Sequence, residues 1–300
     1  MSKVSRYITG AMKALLMTSL LVSSGIAGAA DGKEIKWVGC GISKKAFMGA
    51  VSKAYEQKTG VKIVLEGGGA TRGIEDIASG KADMGGTCRH MLLRPEERGV
   101  KLVAVGWDAL TIITHRSNPV ENLTVKQIQD IFSGKVTNWS QVGGPNQAIK
   151  VLETESKISG VGRMVRELLF KNPEFEFTDR AILLSDTGPL EEKVEKEPWT
   201  IGFTGVSSAR KRSVKIISIG GKAPTYEHIA SGQYMLYRPL YLTLPQQAAP
   251  ELQKFVAFIL SAEGQEIIRK EGTVTLKDGK DLWAIYNRSM KEAGIAAGTF

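Results

Sequence analysis

Apolar residues recur along this 300-residue chain in two rhythms. Short runs rich in β-branched and aromatic residues predict strands at 34–38 (EIKWV), 61–65, 101–105, 109–114, 149–152, 199–204 and 214–219. Between them, apolar groups fall three and four apart. Phe47, Ala50, Val51, Ala54 and Tyr55 share one face of a helix that Ser43 caps and Gly60 closes. A short helix is expected over 73–79. Thr124 and Gln127 read as the capping box of a helix over 125–132, closed by Gly134. Another helix starts near Ser159 and Gly160 and runs through Leu168 and Leu169. Residues 234–244 read as a strand-like crossing segment. Leu252, Phe255, Val256 and Ile259 line one side of a helix over 250–260 with Pro250 at its first position. A last helix spans about 282–291. This alternation predicts an α/β protein with helices on both faces of its sheet.

Turns bearing glycine or serine, followed by helix starts, recur after the strands, at Gly39, residues 67–69, Gly85 and Ser159. Glycine suits a backbone that takes positive φ or comes close to a ligand. The first N–H groups of a helix have no partner within it and favour an anion. In open α/β sheets ligands collect at the carboxyl ends of strands. Loops of this kind converging on one cleft would make an anion trap, with residues 66–91 (EGGGATRGIEDIASGKADMGGTCRHM) at its centre.

Composition sets the address. Lys3, Arg6 and Lys13, a mostly apolar stretch over 14–22 and the small residues at 27–30 read as a secretory signal peptide over 1–30. Its apolar stretch is shorter than the roughly 18 residues of a membrane span. The expected location is the periplasm. Losing that segment lowers the net charge from +9 to +6. The remaining basic residues are scattered, apart from a run at 210–215, and do not gather beside stacking aromatics as a nucleic-acid site would require. Two cysteines, Cys40 and Cys88, are too few for a disulfide framework.

The same residues carry a family resemblance. Residues 82–89 stand where the periplasmic phosphate-binding proteins have a sequence close to ADIGxSSR. Residues 123–145 (LTVKQIQDIFSGKVTNWSQVGGP) are similar to that family's text almost throughout. Residues 199–203, 234–242 and 255–276 follow the same plan, so the likeness covers about 36–276. It implies the substrate-binding component of an ABC importer with the type II periplasmic binding protein fold. The expected architecture is two α/β lobes, each a mixed sheet flanked by helices, with the ligand cleft between them. Lobe I would hold 31–112 with 238–300, and lobe II 113–237. The implied partners are phosphate or a related oxyanion and a permease. The chain is expected to be a monomer without cofactor, metal or catalytic activity.

Carried over by position, the resemblance implies a ligand site of Cys40, Gly41, Ala70, Thr71, Asp83, Thr87, Arg89, Ser159, Gly160 and Val161. Asp83 matches the carboxylate that accepts the proton of hydrogen phosphate, Arg89 the anion-pairing arginine and Thr87 a serine. Cys40 and Gly41 replace a serine–threonine pair, Ala70 a serine and Val161 a threonine; Glu155 stands near a lost arginine. Each missing hydroxyl removes roughly 1.5–3 kcal/mol of bonding to a charged ligand. Cys40 and Cys88 both fall in ligand loops. Export favours a disulfide between them, worth about 4 kcal/mol by loop closure. The competing reading is a redox or metal-handling protein that reuses the cleft through these thiols, with His90 or Met91 as further ligands.

Overall fold

The computed structural model describes residues 34–295, so the signal-peptide reading of residues 1–30 lies outside the described residues. Ten strands follow in chain order: β1 (Glu34–Gly39), β2 (Lys62–Gly67), β3 (Met84–Thr87), β4 (Val100–His115), β5 (Asn122–Leu123), β6 (Lys150–Thr154), β7 (Ile182–Leu184), β8 (Thr200–Gly205), β9 (Val214–Ile219) and β10 (Tyr237–Pro245). Along the main path they lie in the order β2-β1-β3-β10-β4-β8-β6-β7, with β9 also on β4 and β5 on β9. At one end β1 pairs in parallel with both β2 and β3. At the other β6 pairs in parallel with β7 and β8. The antiparallel strands β10 and β4 sit between these groups.

The two apolar runs expected at 101–105 and 109–114 are one 16-residue strand, β4. It changes partners midway. Residues up to Ala109 pair with β10, and Leu110 to Thr114 pair with β8. One strand thus serves both halves of the sheet.

Helices fill the connections. The first, α1, runs from Gly41–Ser43 through a widened turn, Lys44–Met48, to Gly49–Thr59. Gly60 ends it at φ +73°, the left-handed conformation expected there. Helix α2 (Gly69–Ala78) starts four residues earlier than expected, at the last residue of the glycine run. Helix α3 (Val125–Phe132) carries the expected capping box, with Thr124 and Gln127 bonding reciprocally. Helix α4 (Gly160–Leu168) begins at Ser159 as expected. Strand β7 and helix α5 (Thr187–Lys196) follow; the sequence reading contained neither. The helices Pro250–Leu260, Ala262–Lys270 and Leu282–Glu292 complete the chain. One apolar core runs through both halves of the sheet, from Trp37 and Phe47 to Phe132, Trp139 and Phe203.

Candidate functional site

Four helices of the fold begin at one place. α1 follows β1, α2 follows β2, α4 follows β6 and α5 follows β7, so all four starts lie at carboxyl ends of parallel strands. They surround a cavity of about 270 Å³ lined by Cys40, Ile42, residues 68–71, Cys88, Ser156, residues 159–161 and residues 185–187. This is where an open α/β sheet collects a ligand.

The first turns differ in how their amides are engaged. Ser43 N donates to Cys40 Sγ at 3.3 Å, Gly162 N to Ser159 Oγ at 3.0 Å, and Thr187 N to Asp186 Oδ1 at 2.7 Å. α2 has no side-chain cap. Its opening residues Gly69, Ala70 and Thr71 all line the cavity, so their orphan amides suit an anionic acceptor there. The aligned peptide dipoles of four helix starts place partial positive charge on the same space. Ser159 Oγ also bonds Thr154 Oγ1 at 2.8 Å, which fixes the cap. Among the lining residues Asp186 is the sole carboxylate, and none is lysine, arginine or histidine.

The predicted site residues divide into two groups. Cys40, Ala70, Thr71, Ser159, Gly160 and Val161 line the cavity, and Gly41 is the first residue of α1 between two lining neighbours. Asp83, Thr87 and Arg89 do not line it. Asp83 is exposed at the amino end of β3, where its Oδ2 accepts from Lys36 N at 2.7 Å. The cavity lies past the other end of that strand, so Asp83 cannot face a guest in it. Thr87 is fully buried, and its Oγ1 bonds only the Arg89 backbone at 3.4 Å.

Arg89 is a structural cation. Its Nη2 meets Glu97 Oε1 at 2.7 Å with both side chains fully buried, Nε donates to Ile158 O at 2.9 Å and Nη1 to His90 O at 2.8 Å. The charge is already paired and most of the donors are spent. Arg72, on the first turn of α2, is tied to Glu66 and Asp76. Glu155 is exposed and outside the lining. Ser156, Ser185, Asp186 and Thr187 line the cavity without having been anticipated.

The cysteines stand as free, buried thiols in this structure, not as the expected disulfide. β1 and β3 are neighbours, with Cys40 N donating to Gly86 O at 3.1 Å, and this brings the two side chains together. Burial pushes the Cys40 thiol up, but hydrogen bonds from Cys88 and Ser43 and the nearby Arg238 charge outweigh it and hold it below the ordinary value. Cys88, the donor to Cys40 and itself buried, is pushed well above. His90 is not a further ligand, because its Nε2 is held by Glu167 Oε2 at 2.8 Å and its Nδ1 lies 2.7 Å from Met91 O.

Beneath the cavity floor lies Arg238, fully buried. Its Nη1 donates to Gly160 O at 2.8 Å, while Nε and Nη2 have no hydrogen-bond partner. Asp108 Oδ2 is 4.0 Å from Nη2, and burial raises the Asp108 carboxyl against the pull of that guanidinium. A positive group therefore stands behind the thiols and the first peptide of α4.

A family model for the PBP superfamily domain matches residues 29–263. The chain belongs to this superfamily. Among curated proteins it is 26% identical to the phosphate-binding protein PstS of Borreliella burgdorferi, over 88% of this chain and 96% of that protein. It is also 26% identical to PstS of a Staphylococcus epidermidis strain, over 79% of each chain. Two solved structures share the architecture of this PBP-superfamily chain. One, from Clostridium perfringens, is of a protein assigned as a phosphate ABC transporter substrate-binding protein, with phosphate bound. It is 28% identical with a TM-score of 0.72 and covers 81% of this chain and 99% of that one. The other, an ABC-type phosphate transport receptor from Vibrio cholerae, is 27% identical with a TM-score of 0.62, over 81% of this chain and 100% of that one. The mixed α/β fold is that of the two-lobed solute-binding proteins.

Proposed function

We propose that this chain is an exported solute-binding receptor that captures phosphate or a related tetrahedral oxyanion for an ABC importer. The observation that carries the reading is the meeting of four helix starts on one cavity, with the amides at Gly69, Ala70 and Thr71 uncapped. The phosphate-binding relatives and the phosphate-bound structure from Clostridium perfringens support the same ligand class.

In this reading Gly41, residues 69–71, Ser159, Gly160 and Val161 hold the oxyanion, and Asp186 takes over the role the resemblance gave to Asp83. A carboxylate in the lining accepts the proton of hydrogen phosphate and repels fully ionised sulfate. Among the described residues, those within 31–112 and 238–300 form one lobe and 113–237 the other; the change of partners along β4 after Ala109 supports that division. The chain acts by binding and not by catalysis, as a periplasmic monomer that docks on a permease.

Calorimetry with phosphate, sulfate, arsenate and molybdate tests the reading. One-to-one binding of phosphate, and weaker binding of sulfate, is the expected result. No heat and no thermal shift with any of the four would overturn it.

A further inference from the structure

Two thiols line the same cavity as the helix starts, where an oxyanion site would ordinarily offer hydroxyls. They directly follow the adjacent strands β1 and β3, with Cys40 N donating to Gly86 O at 3.1 Å, and Cys88 Sγ lies so close to Gly160 that a Cβ there would overlap it. Ser43 Oγ sits 3.0 Å from Cys40 Sγ, and the Arg238 guanidinium, with two nitrogens that make no hydrogen bond and Asp108 at 4.0 Å, stands behind the pair. Nearby charge decides what such a pair can hold. A soft metal cation would meet four helix amino ends and the buried Arg238, which outnumber the Asp186 carboxylate in the lining and Asp108 beside the arginine. An uncharged thiophile meets no such penalty, and one that keeps an oxygen ligand can still bond the amides of α2.

From this we propose that Cys40 and Cys88 form a dithiol subsite for trivalent metalloid oxyacids, of which arsenous acid is the simplest. The inference rests on the reading of the cleft as an oxyanion receptor and extends its guests to a second class. The step is a condensation without change of oxidation state. The Cys40 sulfur bonds arsenic, and one hydroxyl leaves as water with the thiol proton. Cys88 repeats the exchange and releases a second water. The product carries two S–As bonds and one remaining As–OH, directed to the cleft amides.

The test uses the exported chain prepared anaerobically with a phosphine reductant. A chromogenic thiol reagent should count two thiols under denaturing conditions. Sodium arsenite should bind one-to-one by native mass spectrometry, protect both thiols, and compete with phosphate in calorimetry. Cys40→Ser and Cys88→Ser should each weaken arsenite by roughly a hundredfold or more, since each removes the intramolecular second bond. Where a variant does not fold, thiol protection in the unaltered chain still decides. Phosphate binding without arsenite protection would overturn the dithiol subsite and leave the proposed function standing. Failure of both ligands would remove both readings. Arsenite binding without phosphate binding would support the subsite and count against phosphate. A disulfide in the freshly exported chain would also overturn the subsite.

Discussion

Gly160, the first residue of α4, lies directly against the sulfur of Cys88 at the end of β3. A Cβ at position 160 would overlap Cys88 Sγ and come within 2.9 Å of Ala70 Cβ. The absence of a side chain there lets the α4 start reach the loops that follow β2 and β3. Gly160→Ala should therefore push α4 outward and weaken oxyanion binding at least about tenfold, an overpacking cost of about 1–3 kcal/mol. Calorimetry measures it, and adding Cys88→Ala should recover part of the loss. Unchanged affinity in Gly160→Ala would mean that the two walls need not come so close.

Asp186 caps α5 and is the carboxylate of the cavity lining. Asp186→Asn should raise sulfate affinity relative to phosphate by about tenfold or more, because the repulsion of a fully ionised guest is gone. Asp83→Asn should leave that ratio alone, since Asp83 is spent on Lys36 N at the far end of β3. Competition calorimetry with both anions checks the pair.

Arg89 and Glu97 form a fully buried ion pair outside the cavity. Removing one partner strands the other charge away from water. Glu97→Gln should destabilise the fold by about 3–5 kcal/mol, read from urea unfolding. If Arg89 instead paired the ligand, this change would alter oxyanion affinity with little effect on the unfolding midpoint.

Burial pushes the Glu153 carboxyl up to about 7, with Arg166 and Thr154 offsetting only part of the effect. Between its ordinary value of 4.5 and about 7 the folded chain keeps a proton that the unfolded chain has lost. Stability should therefore fall as pH rises through that window and level off above it. Glu153→Gln cannot ionise, so its unfolding free energy should lack that fall, a difference of roughly 3 kcal/mol across the window. Parallel slopes for the two proteins in urea melts between pH 4.5 and 8 would contradict it.

Much of the frame was legible because it is written in local patterns. The capping box at Thr124, the glycine end at Gly60 and the serine cap at Ser159 each depend on neighbours within a few residues. The convergence of glycine turns was legible too, since strand–turn–helix repeats place those turns on one edge of a sheet. What a side chain meets across the fold was not. Arg89 matches an anion-pairing position by resemblance, yet Glu97, eight residues further on, turns inward and takes its charge. Asp83 matches a carboxylate by position, but β3 carries it to the wrong end of the strand. The Asp186 wall was missed because β7 has three residues and its apolar run, Ile182–Leu184, is too short to register as a strand. Asp186 before a helix with Pro189 in its first turn was the available signal.

The most direct test of the central claim is a crystal structure grown with saturating phosphate. The account predicts one tetrahedral anion in the cavity, within hydrogen-bond reach of the amides of Gly69–Thr71 and Gly160–Val161, with one oxygen on Asp186. An anion bound elsewhere, or the same space filled by a metal ion or by protein side chains at saturating phosphate, would contradict it.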